Sequence, residues 1–210
     1  MPIRERVFAA CYDPMSRRWE ERYGRHLRRQ LLAHARGRVL EVGVGTGQNL
    51  LHYPEEVGEI VAVEPSEPMQ QRARRRAQDS RRSVTFVNAE AEALPFEDSS
   101  FDTAVVVFVL CTVDDPARSL VEIQRVLKPK GRLLFLEHVR SGDERLARWQ
   151  DRLEGPWGLF SGGCHPNRDA VTSIEAAGFE LESVERRDQP GMPRLVRPIV
   201  CGAAMRPSTI

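Results

Sequence analysis

The chain of 210 residues fits one ordinary domain, and a domain of this size buries enough surface to fold without disulfides or structural metals. Hydrophobic residues make up 41% and charged residues 29%, which excludes a disordered or membrane-spanning chain. The formal net charge of +1 excludes a polyelectrolyte that binds nucleic acid through bulk charge, so no nucleic-acid partner is expected.

Two further features bear on localisation. The longest apolar run, residues 104–113, is roughly half as long as a bilayer-crossing helix. Residues 1–6 have no apolar run behind them, so no signal peptide is expected. The cysteines lie far apart, without the spacing of a zinc site, at Cys11, Cys111, Cys164 and Cys201. We therefore expect reduced thiols, no metal and a cytoplasmic protein.

An N-terminal helix is predicted within residues 1–36, because apolar residues recur there every four positions. They are Met15, Trp19, Tyr23, Leu27 and Leu31. Arginines fill much of the rest of this segment, which leaves three interpretations open. In the first, the helix is a lid over a binding site, with Tyr12 reaching in. In the second, it is a basic amphipathic helix that lies on an anionic membrane. In the third, its apolar residues pack against the domain and its arginines simply face solvent. We favour the lid, and membrane contact is compatible with it.

From residue 37 to 138, short apolar strands alternate with polar helical segments. The predicted strands are Arg38–Val42, Glu59–Val63, Val84–Val87, Thr103–Leu110 and Arg132–Glu137. Helices are predicted to begin near Gly47, Ser66 and Asp115, the last with Pro116 in its first turn. Such alternation is typical of a parallel sheet with helices on both faces.

Residues 139–178 interrupt this alternation. A helix is predicted over Asp143–Leu153, with Leu146, Trp149 and Leu153 on one side, followed by a loop over Gly155–Gly163. Asn167 is the predicted cap of a further helix that ends at Gly178.

Residues 179–204 supply the last two strands, Phe179–Glu185 and Arg197–Ala204. The segment between them is too short for a crossover helix, so the two strands must pair antiparallel. We therefore predict one domain over residues 1–210, with a seven-stranded, mostly parallel sheet whose last strand is reversed.

A glycine-rich turn, Leu40–Gly47, ends the first strand and opens the predicted helix. Glycines there let the backbone turn tightly and let a ligand approach closely. Glu64 ends the second strand, where a carboxylate can accept hydrogen bonds from both ribose hydroxyls. The pattern indicates a nucleoside-binding site, which dehydrogenases and methyltransferases share.

Two details favour a methyltransferase over a dehydrogenase. Glu41 lies before the glycines, where a carboxylate suits a cationic amino group and not the phosphate of a dinucleotide. The reversed last strand replaces the second mononucleotide-binding half. The ligand indicated is S-adenosylmethionine, although Glu41 could also be a helix cap or a buried, paired acid.

The sequence resembles the class I S-adenosylmethionine-dependent methyltransferases from Arg38 to Ala204. The resemblance lies in Glu41–Gly47, Glu64-Pro65, Glu90–Phe96 with Ser100–Asp102, and Val126–Gly131. It implies a Rossmann-like α/β fold with an N-terminal helical lid, S-adenosylmethionine as cofactor, S-adenosylhomocysteine as product and no metal. The cofactor contacts implied are Glu41, Gly43, Gly45, Thr46, Gly47, Asn49, Glu64, Pro65, Met69, Glu90, Ala91, Phe108 and Leu110. Phe108 and Leu110 are equally compatible with plain core.

A narrower resemblance concerns the methyl acceptor. Val109–Val113, Leu136–Val139 and Gly163–His165 are similar to segments of the mammalian methyltransferase-like proteins, a family that methylates alkyl thiols. The glycine and Leu-Pro-Phe motifs are also similar to those of bacterial phosphatidylethanolamine and quinone methyltransferases. A small-molecule acceptor is implied, with a thiol first and a phospholipid or quinone at a membrane surface as the alternative.

The candidate acceptor-site residues are of two kinds. His138 and His165 could each accept a proton, although either could equally be a structural hydrogen bonder. Residues expected to contact the substrate are Tyr12, Cys111, Trp157 and Phe160. A thiol is partly ionised near neutral pH and needs little help from a base, so the lack of a convincing base favours a thiol over a hydroxyl acceptor. A cofactor-binding regulator without catalysis is the alternative outside enzymes.

Overall fold

The computed structural model describes residues 3–80 and 83–208; the ends of the predicted domain and residues 81 and 82 lie outside the described residues. The helices are α1 (Ile3–Trp19), α2 (Arg25–Leu32), α3 (Glu67–Ser80), α4 (Pro116–Val126), α5 (Glu144–Phe160) and α6 (Ala170–Ala176). The strands are β1 (Arg38–Val42), β2 (Glu59–Val63), β3 (Val84–Val87), β4 (Phe101–Val107), β5 (Leu127–His138), β6 (Glu180–Asp188) and β7 (Pro198–Met205).

The seven strands form one sheet in the order β3-β2-β1-β4-β5-β7-β6. All neighbouring pairs are parallel except those of β7, which runs antiparallel to both β5 and β6. The chain passes from β6 to β7 through a 3-10 turn, Arg194–Val196, and not through a crossover helix. The predicted sheet with its reversed last strand is confirmed.

Helices cover both faces of the sheet, as predicted. On one face α4 and α6 bury Leu120, Ile123 and Ile174 against the central strands. On the other, α2 and α3 bury Leu27 and Ala73 in a second cluster. The central strands are nearly continuous apolar runs, as expected for strands covered on both sides. Among the described residues, no helix is both long and apolar enough to span a bilayer.

The N-terminal prediction needs one correction. A π-helical turn, Glu20–Gly24, separates α1 from α2 and breaks the four-residue periodicity assumed for a continuous helix. Trp19, Leu27 and Leu31 are buried, whereas Met15, one turn before Trp19 on α1, is 73% exposed. The apolar stripe is therefore shorter than predicted.

Two predictions in the middle and last third are also wrong. The helix near Gly47 is only a 3-10 turn, Gln48–Leu51. The predicted loop over Gly155–Gly163 is helical up to Phe160, because Pro156 lies on an exposed side of α5 and the left-handed Gly162 and Gly163 follow the helix end. Trp149, which was placed on one side of this helix with Leu146 and Leu153, is 53% exposed.

The caps of two helices show how local chemistry sets their start. Asp115 accepts a hydrogen bond from the backbone N–H of Arg118 and precedes Pro116, as predicted for α4. For α6 the cap is Asp169, whose carboxylate accepts from the N–H of Thr172, and not Asn167. The Asn167 amide instead donates to Asp151.

Candidate cofactor and acceptor site

The glycine loop follows β1 and adopts a backbone that other residues rarely take. Gly43 has φ +65° and Gly45 has φ +56°. A Cβ on Gly43 would lie 2.6 Å from a methyl of Val109, so this glycine is required by packing. A Cβ on Gly45 would meet only the Gly43 carbonyl oxygen, at 4.0 Å. Val109 therefore fills the space beside Gly43, whereas the space beside Gly45 is free for a ligand.

Glu41 lies beneath this loop and is 2% exposed. Its two carboxylate oxygens accept hydrogen bonds from the Asn49 amide and the Tyr53 hydroxyl, both at 2.9 Å. Burial raises its pKa to about 7, against the lowering effect of these hydrogen bonds and of Arg28. A buried acid whose charged form lacks a full counter-charge is suited to receive a cationic group, so both readings of Glu41, paired acid and cation partner, are compatible with this site.

Arg28 of α2 connects the N-terminal segment to the same site. It is 4% exposed, forms an ion pair with Glu20 at 2.7 Å, and donates to the Asn49 side-chain oxygen at 2.7 Å. Asn49 therefore bridges Arg28 and Glu41. Sequence reasoning missed Arg28, because nothing in the pattern distinguishes it from the exposed arginines around it.

Glu64, the predicted ribose-binding acid, lies where β2 ends and is 8% exposed. It accepts hydrogen bonds from the N–H of Gly45 at 2.9 Å and of Ser66 at 3.0 Å. Burial raises its pKa, and these two bonds counteract that shift. The carboxylate is thus held beside the open side of the glycine loop.

The other predicted cofactor contacts surround this position. Met69, on α3, is buried; Pro65 follows Glu64 and is exposed. Ala91 is buried and Glu90 is exposed, and burial raises the pKa of Glu90. Thus Glu41, Glu64 and the glycine loop meet at the carboxyl ends of β1 and β2, the position where ligands bind in open α/β sheets.

The turn after β4 is fixed by one buried carboxylate. Glu137 is fully buried and accepts hydrogen bonds from three successive N–H groups, those of Val109 (2.8 Å), Leu110 (3.0 Å) and Cys111 (3.3 Å). Burial raises its pKa to about 7, although the three donors favour the charged form. The turn begins at Phe108, a non-glycine residue with φ +60°, which is a strained conformation.

His138 lies at the end of β5 against this turn. Its ring stacks on Phe108 with centroids 4.3 Å apart, and its Nδ1 lies 2.9 Å from the carbonyl oxygen of Val196. Burial lowers its pKa to about 4. His138 is therefore neutral at pH 7, and donation from Nδ1 to Val196 leaves Nε2 as the basic nitrogen.

His165, the second candidate base, has a different environment. Its Nδ1 lies 2.6 Å from a carboxylate oxygen of Glu154, and its side chain is 36% exposed. Its backbone N–H donates to the carbonyl of Cys111 at 2.6 Å. His165 therefore joins α5 and the following loop to the turn after β4.

A small apolar cluster lies beside that turn. Cys111, Cys164 and Val196 form its buried part, with Trp157 and Met192 packed on it. Phe160, which was predicted to contact the substrate, does not lie in this cluster, and its side chain is 80% exposed. The extension of α5 places Phe160 on the outside of the last helical turn.

Tyr12 of α1 reaches in beside this cluster. Burial raises its pKa to about 12, and Arg28, Glu20 and Cys111 are close enough to act on it electrostatically. Its contact with the substrate stays a prediction. Thr112, next to Cys111, is turned back onto its own loop, with its hydroxyl donating to the Val109 carbonyl.

A polar clamp holds α1 over the glycine loop. Asp13 accepts from the Thr46 hydroxyl at 2.7 Å and the Gln48 amide at 2.9 Å, and forms an ion pair with Arg76 at 3.0 Å. Arg76 also donates to the Thr46 carbonyl. We call Asp13, Thr46, Gln48 and Arg76 the Asp13 clamp. It gives the predicted lid a defined contact that sequence reasoning did not find.

Within residues 3–80 and 83–208, no three His, Cys, Asp or Glu side chains are grouped so that they could hold a metal ion.

Comparison with known proteins identifies the family. Residues 40–135 match a methyltransferase domain family. The chain is 35% identical over 173 residues to thiol S-methyltransferase TMT1B of Rattus norvegicus, covering 80% of this chain and 70% of that protein. The chain belongs to the class I S-adenosylmethionine-dependent methyltransferases.

Two further likenesses agree with this assignment. A demethylmenaquinone methyltransferase of Clavibacter sepedonicus is 40% identical over 151 residues, which are 70% of this chain and 58% of that protein. The crystal structure of a methyltransferase from Thermotoga maritima superposes with a TM-score of 0.70 at 26% identity, covering 95% of this chain and 98% of that one. The protein is therefore an S-adenosylmethionine-dependent methyltransferase, and the family implies that cofactor.

Proposed function

We propose that this methyltransferase transfers the methyl group of S-adenosylmethionine to the sulfur of a small apolar thiol. The observation that carries the proposal is the apolar cluster of Cys111, Cys164, Val196, Trp157 and Met192 beside the turn after β4. The likeness to a thiol S-methyltransferase supports it.

The residues present fit the cofactor. The open side of Gly45 leaves room for a ligand next to Glu64, and Glu41 is a buried acid with a raised pKa. We assign Glu64 to the ribose hydroxyls, Glu41 with Asn49 to the amino group, and Ala91 to the adenine. The cofactor supplies a methyl group already activated by its sulfonium charge.

The chain's own contribution is to align the acceptor and exclude water. Orientation alone lowers a barrier by several kcal/mol, on the order of seven in ideal cases. We propose that Tyr12 on α1 and Phe108, whose ring stacks on His138, flank the acceptor. The acceptor approaches past Cys111 and Trp157.

The acceptor's proton is the remaining chemical question. His138, with a pKa of about 4, is a weak base for a thiol whose ordinary pKa is about 8.5. We therefore propose that the thiol loses its proton to water and is bound as a thiolate. An alcohol, whose pKa is far higher, is expected not to react.

The direct test uses methyl-labelled S-adenosylmethionine and a small alkyl thiol, with the alcohol of the same carbon skeleton as the matched acceptor control. We expect labelled thioether from the thiol and no labelled ether from the alcohol. The Glu64→Ala variant, which removes the ribose-binding acid, should lose product by weakening cofactor affinity. Cofactor binding without any thioether would contradict the proposal.

A second candidate is methyl transfer to a quinone or phospholipid at a membrane surface. Val7, Cys11 and Met15 lie four residues apart on the exposed face of α1, and Phe160 is 80% exposed at the end of α5. The likeness to a demethylmenaquinone methyltransferase also favours it. On this hypothesis exposed apolar residues insert into the interface while nearby arginines contact anionic headgroups.

Vesicle binding tests this candidate. Met15→Asp should reduce binding to anionic vesicles, whereas Val121→Asp, at a residue 55% exposed on α4, serves as the matched control. Equal binding of both variants, or no binding by the unmodified chain, would contradict the membrane hypothesis.

A further inference from the structure

Two of the four cysteines meet although they come from distant segments. Cys111 lies in the turn after β4 and Cys164 in the loop between α5 and α6, and both are buried in one cluster. The N–H of His165 donates to the Cys111 carbonyl at 2.6 Å, so the residue that follows Cys164 is held directly against Cys111. A disulfide requires a Cα separation of roughly 4.4–6.8 Å, which two adjoining loops can reach by a small local movement.

The two thiols differ in their surroundings. The neighbouring Cys111 thiol lowers the pKa of Cys164 despite its burial. The Cys164 thiol, burial and Glu137 together raise the pKa of Cys111 well above its usual value. Cys164 is therefore the better nucleophile, and Cys111 holds its proton next to a carboxylate.

We infer that Cys111 and Cys164 form a modification site, a dithiol that closes to an intramolecular disulfide by exchange with a small disulfide such as oxidised glutathione. The inference rests on the contact between the two loops and does not depend on the proposed acceptor.

The exchange balances in two steps. The Cys164 thiolate attacks one sulfur of the small disulfide, forms a mixed disulfide and releases the other half as a thiolate. Cys111 then passes its proton to Glu137 and attacks the sulfur of Cys164, releasing the second half. Two protein thiols are oxidised and one small disulfide is reduced to two thiols, with the protons ending on the released thiolates.

Access to Cys164 is controlled by α1. The loop of Gly162 and Gly163 that precedes Cys164 lies against the Phe8 ring so closely that a Cβ on Gly162 would overlap it. The Asp13 clamp holds α1 in this position. The exchange therefore requires α1 to move, and weakening the clamp should accelerate it.

The test begins with the reduced 210-residue chain in a buffer of oxidised glutathione. After alkylation of the remaining thiols, intact-mass measurement should show a species without glutathione and with two alkylated thiols fewer, and peptide mapping should show Cys111 linked to Cys164. A chain that keeps both thiols free, or that gains glutathione only at the exposed Cys11, would overturn the inference.

Variants separate the roles of the two sulfurs. Cys111→Ser should trap glutathione on Cys164, whereas Cys164→Ser should leave Cys111 unmodified. Cys201→Ser is the matched control, since burial raises the pKa of Cys201 to about 11 and it lies outside the pair; it should form the Cys111–Cys164 disulfide as the unmodified chain does. Asp13→Asn should raise the rate severalfold, and an unchanged rate would contradict control of access by α1.

Discussion

Two regions of the molecule are built by different means: the proposed cofactor half, on β1 to β4, and the proposed acceptor half, from α1, α5 and the loops beside them. In the cofactor half the backbone conformation and single acids determine the site, as at Gly43, Gly45 and Glu64. In the acceptor half, contacts between distant segments determine it, as between Tyr12, Cys111 and Trp157. The first kind of site is specified locally, and the second exists only when the segments pack together.

The largest expected effect is at the junction of the two halves. Arg28→Met would leave the Glu20 carboxylate and the Asn49 amide oxygen buried without their partner, which costs on the order of 3–5 kcal/mol. Chemical unfolding should show this loss. Arg17→Met, which breaks the exposed pair with Glu21, is the control and should leave the midpoint unchanged. An equal loss of unfolding free energy in both variants would contradict the stabilising role assigned to the buried contacts of Arg28 with Glu20 and Asn49.

The next effect lies wholly in the cofactor half. Gly43→Ala places a Cβ against Val109 at a positive φ, at a cost of roughly 3 kcal/mol from strain and overpacking. We expect a lower unfolding midpoint and weaker cofactor binding by calorimetry. Gly58→Ala, where no atom lies within 4 Å of the added Cβ, should change neither. A Gly43→Ala chain with normal stability would contradict the packing argument.

Gly43 could be predicted from the sequence, whereas the role of Arg28 could not. β1, β2 and β3 begin and end where predicted, because each is a short, mostly apolar run bounded by polar residues or glycine. The glycine motif and Glu64 are recognisable for the same local reason. The π-helical turn and the length of α5 were mispredicted because tertiary packing determines them. The cap of α6 was mispredicted because two capping residues, Asn167 and Asp169, lie close together before the helix.

The same distinction applies to single residues of the site. Arg28, Asp13 and Glu137 have partners far along the chain, and no spacing in the sequence marks them. Phe160 was expected inside because it is apolar, but the direction in which an apolar residue points depends on where its helix ends.

A pH experiment tests the turn that joins the halves. The pKa of Glu137 is raised from 4.5 to about 7, so the folded state holds this proton more strongly than the unfolded state. The resulting stabilisation is complete below pH 4.5 and is lost as the pH rises through 7. Melting temperatures measured from pH 5 to 8 should therefore fall more steeply for the unmodified chain than for Glu137→Gln.

The control for this slope is Glu182→Gln, which removes a partly exposed partner of Arg132 and should keep the slope of the unmodified chain. If Glu137→Gln has that same slope, Glu137 titrates normally and the raised pKa is wrong.

The smallest effect concerns the lid. Asp13→Asn removes the ion pair with Arg76, which is partly exposed, so the stability should fall by no more than about 1 kcal/mol. Hydrogen exchange in α1 should nevertheless become faster, because the remaining amide oxygen replaces only part of the clamp. Glu21→Gln on the same segment is the control. Unchanged exchange in Asp13→Asn would show that the clamp does not hold α1 closed.

The central claim is that the site aligns a thiolate and supplies no base of its own. The most direct measurement is the pH dependence of kcat/KM for two alkyl thiols of similar size whose thiol pKa values differ by at least about one unit. The account predicts that the rise in kcat/KM shifts with the pKa of the acceptor. A rise at the same pH for both thiols would reveal an ionising group of the enzyme and would contradict the account.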